Sequence, residues 1–257
     1  MEPTADTSES AGSAEVPQLD PTADTPGSAG SAEVPQFDIC IILDCTGSMG
    51  SSFPQVKEAI TSIVNMYMPR GVSTNFAIVG YTDHAGDSGN LDGNNPVIIY
   101  PRSKNINDFV KDDALQFLNN LVANGGGSQY GEAMIDGMYN ANHLVYRPNT
   151  PRMYFIIGDD TPHGSEFHPN TQYPNGCACG HDWRQLLREM KEQEVLLKFV
   201  KLNDIMNKTA ELFEAEYGED NMETFSQACI KNLSSIVADS VGSVIEYYLE
   251  QARNKKK

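Results

Sequence analysis

The stretch Phe37-Asp38-Ile39-Cys40-Ile41-Ile42-Leu43-Asp44-Cys45-Thr46-Gly47-Ser48-Met49-Gly50 decides the fold. From Phe37 to Leu43 the residues are almost continuously apolar, as expected for a short parallel strand buried on both faces. The run stops at Asp44. A Gly/Ser-rich turn follows, and Pro54 opens a helical pattern with Val56, Ile60, Ile63 and Val64 on one face. A buried strand, a polar loop and an amphipathic helix in that order open an α/β unit.

The alternation continues downstream. Apolar runs at 76–81, 97–100, 153–157 and 195–200 read as strands. Helical patterns fall over about 106–122, 131–144, 182–193, 204–216 and 232–251. The expected fold is therefore a doubly wound α/β domain: a mostly parallel, Rossmann-like sheet with helices on both faces, over residues 37–252. Ligands of such sheets bind beyond the carboxyl ends of the strands, where the strand order reverses.

The loop after the first strand carries Asp44, Thr46 and Ser48, a carboxylate followed at +2 and +4 by hydroxyls. Such a spacing can turn hard oxygens toward one point. Hard oxygens suit Mg²⁺, Mn²⁺ or Ca²⁺ rather than soft metals. The plainer reading is that Asp44 and Ser48 cap the following helix.

FDICIILDCTGSMG resembles the first strand and metal loop of a von Willebrand factor A-type domain. The resemblance implies a metal-ion-dependent adhesion site, usually holding Mg²⁺, built from a D-x-[ST]-x-S loop, a hydroxyl from a second loop and an Asp from a third. An acidic side chain of a protein partner often completes the coordination. Asn124-Gly125-Gly126-Gly127-Ser128 matches the second loop, with Ser128 where many members have Thr. Met153 to Gly158 matches the fourth strand, which makes Asp159 the third-loop carboxylate, with Asp160 adjacent. The implied ligands are Asp44, Thr46, Ser48, Ser128 and Asp159. Asp83, at the end of the second apolar run, is either a carboxylate hydrogen-bonded to a metal-bound water or a turn residue.

The strings Gly80-Tyr81-Thr82-Asp83-His84, Asp159-x-x-Pro162-His163-Gly164 and Tyr173-Pro174-Asn175-Gly176-Cys177-Ala178-Cys179-Gly180-His181-Asp182 narrow the resemblance to A-type domains associated with alpha-kinases. No phosphate-cradling glycine loop with a catalytic lysine is seen, so kinase activity is not implied. A separate ligand pattern lies in the last string and just before it. His163, Cys177, Cys179 and His181 offer two thiolates and two imidazoles for zinc, although C-x-C is tighter than common zinc spacings. The competing reading is an ordered polar loop. Cys40 and Cys229 read as core residues.

The chain holds 257 residues, with 18 Lys+Arg against 35 Asp+Glu and a net charge of −17. Such a chain is repelled by phosphate backbones, so nucleic acid is not an expected partner. No apolar run reaches the ~20 residues of a membrane span. The start lacks the basic and apolar regions of a secretory leader, and five cysteines are too few and odd for a disulfide framework. A reduced, cytoplasmic protein is expected.

Residues 3–20 (PTADTSESAGSAEVPQLD) recur at 21–38 (PTADTPGSAGSAEVPQFD). Residues 1–38 hold eight acidic and no basic residues. Segment 1–36 is expected to be a disordered tail, since it has too little apolar surface to offset its ordering entropy. Residues 253–257 form a basic end.

Three functions compete: a metal-dependent protein-binding module, a metal-free scaffold, and a metal-assisted hydrolase. Asp44 at a strand end could serve as a nucleophile, as in haloacid-dehalogenase-like phosphatases. Those need a second Asp at +2, where this chain has Thr46. The binding module is the expected function, and catalysis is not expected.

Overall fold

The computed structural model describes residues 35–66, 72–84, 95–126 and 130–232, with helical positions at 235, 239, 242, 243 and 246. The chain divides into Met1–Glu33 and Val34–Lys257, and the fold below is that of the second unit. Ser128, the repeat through residue 34, most of the helix expected over 232–251 and the basic end lie outside the described residues.

A six-stranded sheet runs through the domain in the order β3-β2-β1-β4-β5-β6. The strands are β1 (Gln36–Asp44), β2 (Ser73–Tyr81), β3 (Val97–Tyr100), β4 (Arg152–Gly158), β5 (Leu196–Lys201) and β6 (Met222–Ser226). All neighbours pair parallel except β2 and β3, which pair antiparallel. The expected doubly wound class therefore holds. The order reverses between β1 and β4, which leaves a crevice at their carboxyl ends. Leu43 pairs with Ile157, so Asp44 and Asp159 flank that crevice.

Period-two alternation assigns each side chain to a layer. Ile39, Ile41 and Leu43 of β1, with Phe155 and Ile157 of β4, face α1 (Phe53–Met66) and α2 (Lys111–Asn120). Cys40, Ile42, Tyr154 and Ile156 face α3 (Met134–Asn142), α4 (Trp183–Glu192) and α5 (Asn207–Tyr217). Val56, Ile60, Ile63 and Val64 of α1 are all buried, as their spacing predicts. Asp182 caps α4 by accepting from the Arg184 amide at 2.9 Å.

Several expectations need correction. The helix expected over 106–122 is a 3-10 turn, Ile106–Asp108, followed by α2. Tyr100 enforces the break: its hydroxyl donates to the Val110 carbonyl at 2.8 Å and accepts from the Val110 amide at 2.9 Å, which holds residues 109–110 extended. The helix expected from 131 starts only at Met134, because Gly131 has φ of 100° and Glu132 bridges to Pro162. Strand β6 was not expected. It is a short edge strand whose sequence, METFS, carries no apolar run. Cys229 is half-buried beside Ser226 rather than a core residue.

At the opposite edge of the sheet Arg147 ties β1 to β2. Its Nε donates to Asp38 Oδ1 at 2.7 Å, and its amide donates to Asp38 Oδ2 at 3.0 Å. The same guanidinium donates to the carbonyls of Phe37 and Ser73. Asp38 is fully buried, so its charge is matched within the protein.

Candidate metal centre

The first loop folds around Asp44. Asp44 Oδ1 accepts from the Thr46 amide at 2.8 Å and from Thr46 Oγ1 at 2.7 Å. Thr46 Oγ1 lies 3.0 Å from Ser48 Oγ, and Ser48 Oγ donates to Asp159 Oδ1 at 2.8 Å. Four of the five expected ligands thus form one continuous chain of oxygens. Backbone contacts fix the loop: Cys45 N donates to Tyr81 O, Asn124 N to Cys45 O, and Gly47 N to Gly125 O. A Cβ at Gly47 would stand 2.9 Å from the Gly125 carbonyl oxygen, so glycine is what lets the first and second loops meet. The helix-cap reading fails for Asp44, whose side chain bonds Thr46 before the helix begins.

The donor set fits a hard cation. Asp44 is fully buried, and its Oδ2 has no hydrogen-bond partner. Burial pushes its carboxyl up to about 7; the Asp159 charge adds to this, and hydrogen bonds from Thr46 offset part of it. Burial also raises Asp159 and Asp160. Isolated buried carboxylates are costly, and a cation relieves the cost.

Glu132, four residues past Ser128, is not among the residues the sequence points to. Its side chain is buried, and its Oε2 has no partner. Burial, then the charges of Asp44, Asp83, Asp160 and Asp159, push it up to about 10. A glutamate just before an amphipathic helix at the carboxyl edge of the sheet was the available signal. The Tyr81 hydroxyl is a third buried polar group without a partner.

Asp83 is bonded elsewhere. Its Oδ1 accepts from the His84 amide at 2.6 Å and lies 2.7 Å from His163 Nε2. His163 Nδ1 faces Thr171 Oγ1 at 3.2 Å. His163 is therefore committed to Asp83 and Thr171 rather than to the two cysteines. His181 also stands outside the tight group: its Nε2 is 3.8 Å from Asp136 Oδ1, and its ring stacks on Tyr139 at 3.8 Å. The residues that do join Cys177 and Cys179 are His84 and Asp136, neither of which the sequence reading put with them. Burial and the Asp136 charge raise both thiols, Cys179 to about 11.

The family model for the von Willebrand factor type A domain matches residues 38–237. The alpha-protein kinase vwkA of Dictyostelium discoideum is 27% identical over 169 residues, covering 65% of this chain and 25% of that protein. The chain thus spans about a quarter of the curated relative it matches. Among solved structures, proximal thread matrix protein 1 from the mussel byssus aligns with a TM-score of 0.53 at 15% identity, over 80% of this chain and 45% of that one. The same protein with a zinc-occupied MIDAS motif gives 0.52 at 13%, over 79% and 47%. The pilus adhesin SpaC of Lactobacillus rhamnosus GG, in its open conformation, gives 0.56 at 13%, over 84% and 31%. At these identities the likeness shows the fold alone.

Proposed function

The chain belongs to the von Willebrand factor type A domain family, and from that premise we propose that it is a protein-binding module whose affinity depends on a divalent cation. Asp44, Thr46, Ser48 and Asp159 hold the cation, directly or through water, and Ser128 adds a further oxygen. The observation that carries this reading is the buried, partnerless Asp44 Oδ2, on the carboxylate whose Oδ1 begins a chain of oxygens running through Thr46 and Ser48 to Asp159. The all-oxygen set favours Mg²⁺, with Mn²⁺ and Ca²⁺ as substitutes. The cation, when bound, supplies a Lewis-acidic point that an Asp or Glu of the protein partner can reach.

Glu132 is buried close to the Asp44 and Asp159 carboxylates, and burial together with their charges disfavours its ionised form. No second carboxylate takes the +2 position that a phosphoaspartyl hydrolase needs; Thr46 is there. The protein works as a non-catalytic module related to those of alpha-kinases. Its five cysteines are free, which supports a reducing, cytoplasmic setting. No described helix is long and apolar enough to cross a membrane.

A calorimetric titration of chelator-stripped protein with Mg²⁺ and Mn²⁺ tests the reading. One-site binding is expected in the full chain and none in Asp44→Ala or Asp159→Ala. Equal binding in wild type and Asp44→Ala would overturn the ligand assignment.

A further inference from the structure

We propose a second metal site, for zinc, formed by His84 Nε2, Asp136 Oδ2, Cys177 Sγ and Cys179 Sγ. These four atoms come from three separated parts of the chain: the loop just past β2, the first turn of α3 and the loop before α4. They all lie within 4.8 Å of one another. His84 Nε2 is 3.1 Å from Asp136 Oδ2, Cys177 Sγ is 2.9 Å from the same oxygen, and Cys177 Sγ is 3.6 Å from His84 Nε2. A tetrahedral zinc with ordinary Zn–S, Zn–N and Zn–O bonds requires ligand-to-ligand edges of about 3.4–3.8 Å. The three edges among His84, Asp136 and Cys177 fall within about 0.5 Å of that range, and Cys179 Sγ, 4.0 Å from His84 Nδ1, has to turn toward the Nε2 side to complete the site.

The surroundings orient the ligands. The His84 ring stacks on His163 at 5.4 Å and meets the edge of Tyr173 at 5.5 Å. Asp136 presents Oδ2 to the cluster while Oδ1 faces His181 Nε2 at 3.8 Å, and Tyr139, three residues later on α3, holds the His181 ring. Imidazole-backed carboxylates and packed imidazoles are what hold metal ligands in place. His84 and Asp136 are buried, whereas Cys179 is exposed, which gives the ion a route in from solvent. Two thiolates with one imidazole and one carboxylate favour zinc over the hard cation of the first site. The ion would add a tie from the polar segment 159–182 to α3 and the loop after β2, beside the His163–Asp83 contact and the bridges at Thr171 and Pro162.

The test is cobalt(II) titration of the full chain after chelator treatment under reducing conditions, followed by absorption. Thiolate-to-cobalt charge-transfer bands saturating at one ion per chain are expected in the wild type. Zinc should displace the cobalt and abolish the bands. Cys177→Ser/Cys179→Ser should lack them. Cys179→Ser, at an exposed position, should lose about half the charge-transfer intensity. Asp44→Ala should retain the full bands, which separates this site from the Mg²⁺ site. Absence of thiolate bands in the wild type, or an unchanged spectrum in Cys179→Ser, would overturn the proposal.

Discussion

Ser48 Oγ donates to Asp159 Oδ1 at 2.8 Å, a contact between residues 111 positions apart that joins the first loop to the third. The hydroxyl and carboxylate are thus already adjacent in the folded chain, and cation binding does not have to bring the two loops together. The contact exists because β1 and β4 are neighbours at the point where the strand order reverses.

Asp44→Asn separates the cost of the buried carboxylate from its use. The amide keeps the oxygen that accepts from Thr46 and removes the charge that burial disfavours. The metal-free variant should melt no lower than metal-free wild type, while the rise in melting temperature produced by saturating Mg²⁺ in the wild type should vanish. Thermal scans with and without Mg²⁺ check both halves. A variant that still gains stability from Mg²⁺ would remove Asp44 from the ligand set.

The same carboxyl sets a pH dependence. Its folded value, pushed up to about 7, lies above the ~3.9 of an unfolded aspartate. A raised acid stabilises the fold below the unfolded value, and that stability is lost as pH rises through the folded one. The metal-free protein should therefore lose stability between about pH 4 and 7. Mg²⁺ competes with the proton, so its affinity should rise through the same interval. Melting temperatures across pH, with chelator and with Mg²⁺, should diverge as pH increases; parallel curves would contradict the linkage.

Gly158→Ala tests the closeness of the strands beneath the site. A Cβ there would stand 2.6 Å from the Tyr81 hydroxyl and 3.2 Å from Asp44 Oδ2. Overpacking of this kind costs about 1–3 kcal/mol. Removing the hydroxyl with Tyr81→Phe deletes the nearest clashing atom, one that has no hydrogen-bond partner of its own. The double variant should recover much of the loss, a coupling that urea denaturation of all four proteins would measure. Additive losses would place the strain elsewhere.

Much of this was legible in the sequence, for identifiable reasons. The apolar runs ending at Asp44 and Gly158 are buried on both faces, so strand position and the carboxyl edge follow from hydrophobicity alone. Asp44, Thr46 and Ser48 are local, and their spacing carries the chemistry. The true partners of Cys177 and Cys179 were not legible. His84 and Asp136 lie 93 and 41 residues upstream of Cys177, and only the docking of α3 against β2 brings them together. Strand β6 gave no signal because an edge strand needs no continuous apolar run. The break before α2 depends on one tyrosine hydroxyl reaching the backbone ten residues ahead, which periodicity cannot reveal.

Arg147→Ala probes the end of the sheet away from the cation. Burial pushes the Asp38 carboxyl up more strongly than Arg147 pulls it down, yet the guanidinium and the Arg147 amide still supply its hydrogen bonds. Removing one partner of a buried pair leaves the other charge uncompensated, at a cost of about 3–5 kcal/mol. Two backbone carbonyls, of Phe37 and Ser73, lose donors as well. Asp38→Asn in the same chain removes the stranded charge, so the double variant should be more stable than Arg147→Ala alone. Mg²⁺ affinity of the folded fraction should stay at the wild-type value in both, since neither residue approaches the crevice. Urea midpoints and a Mg²⁺ titration at low temperature measure the two effects. A fall in Mg²⁺ affinity would mean that the clamp sets the register of β1 and, through it, the placement of Asp44.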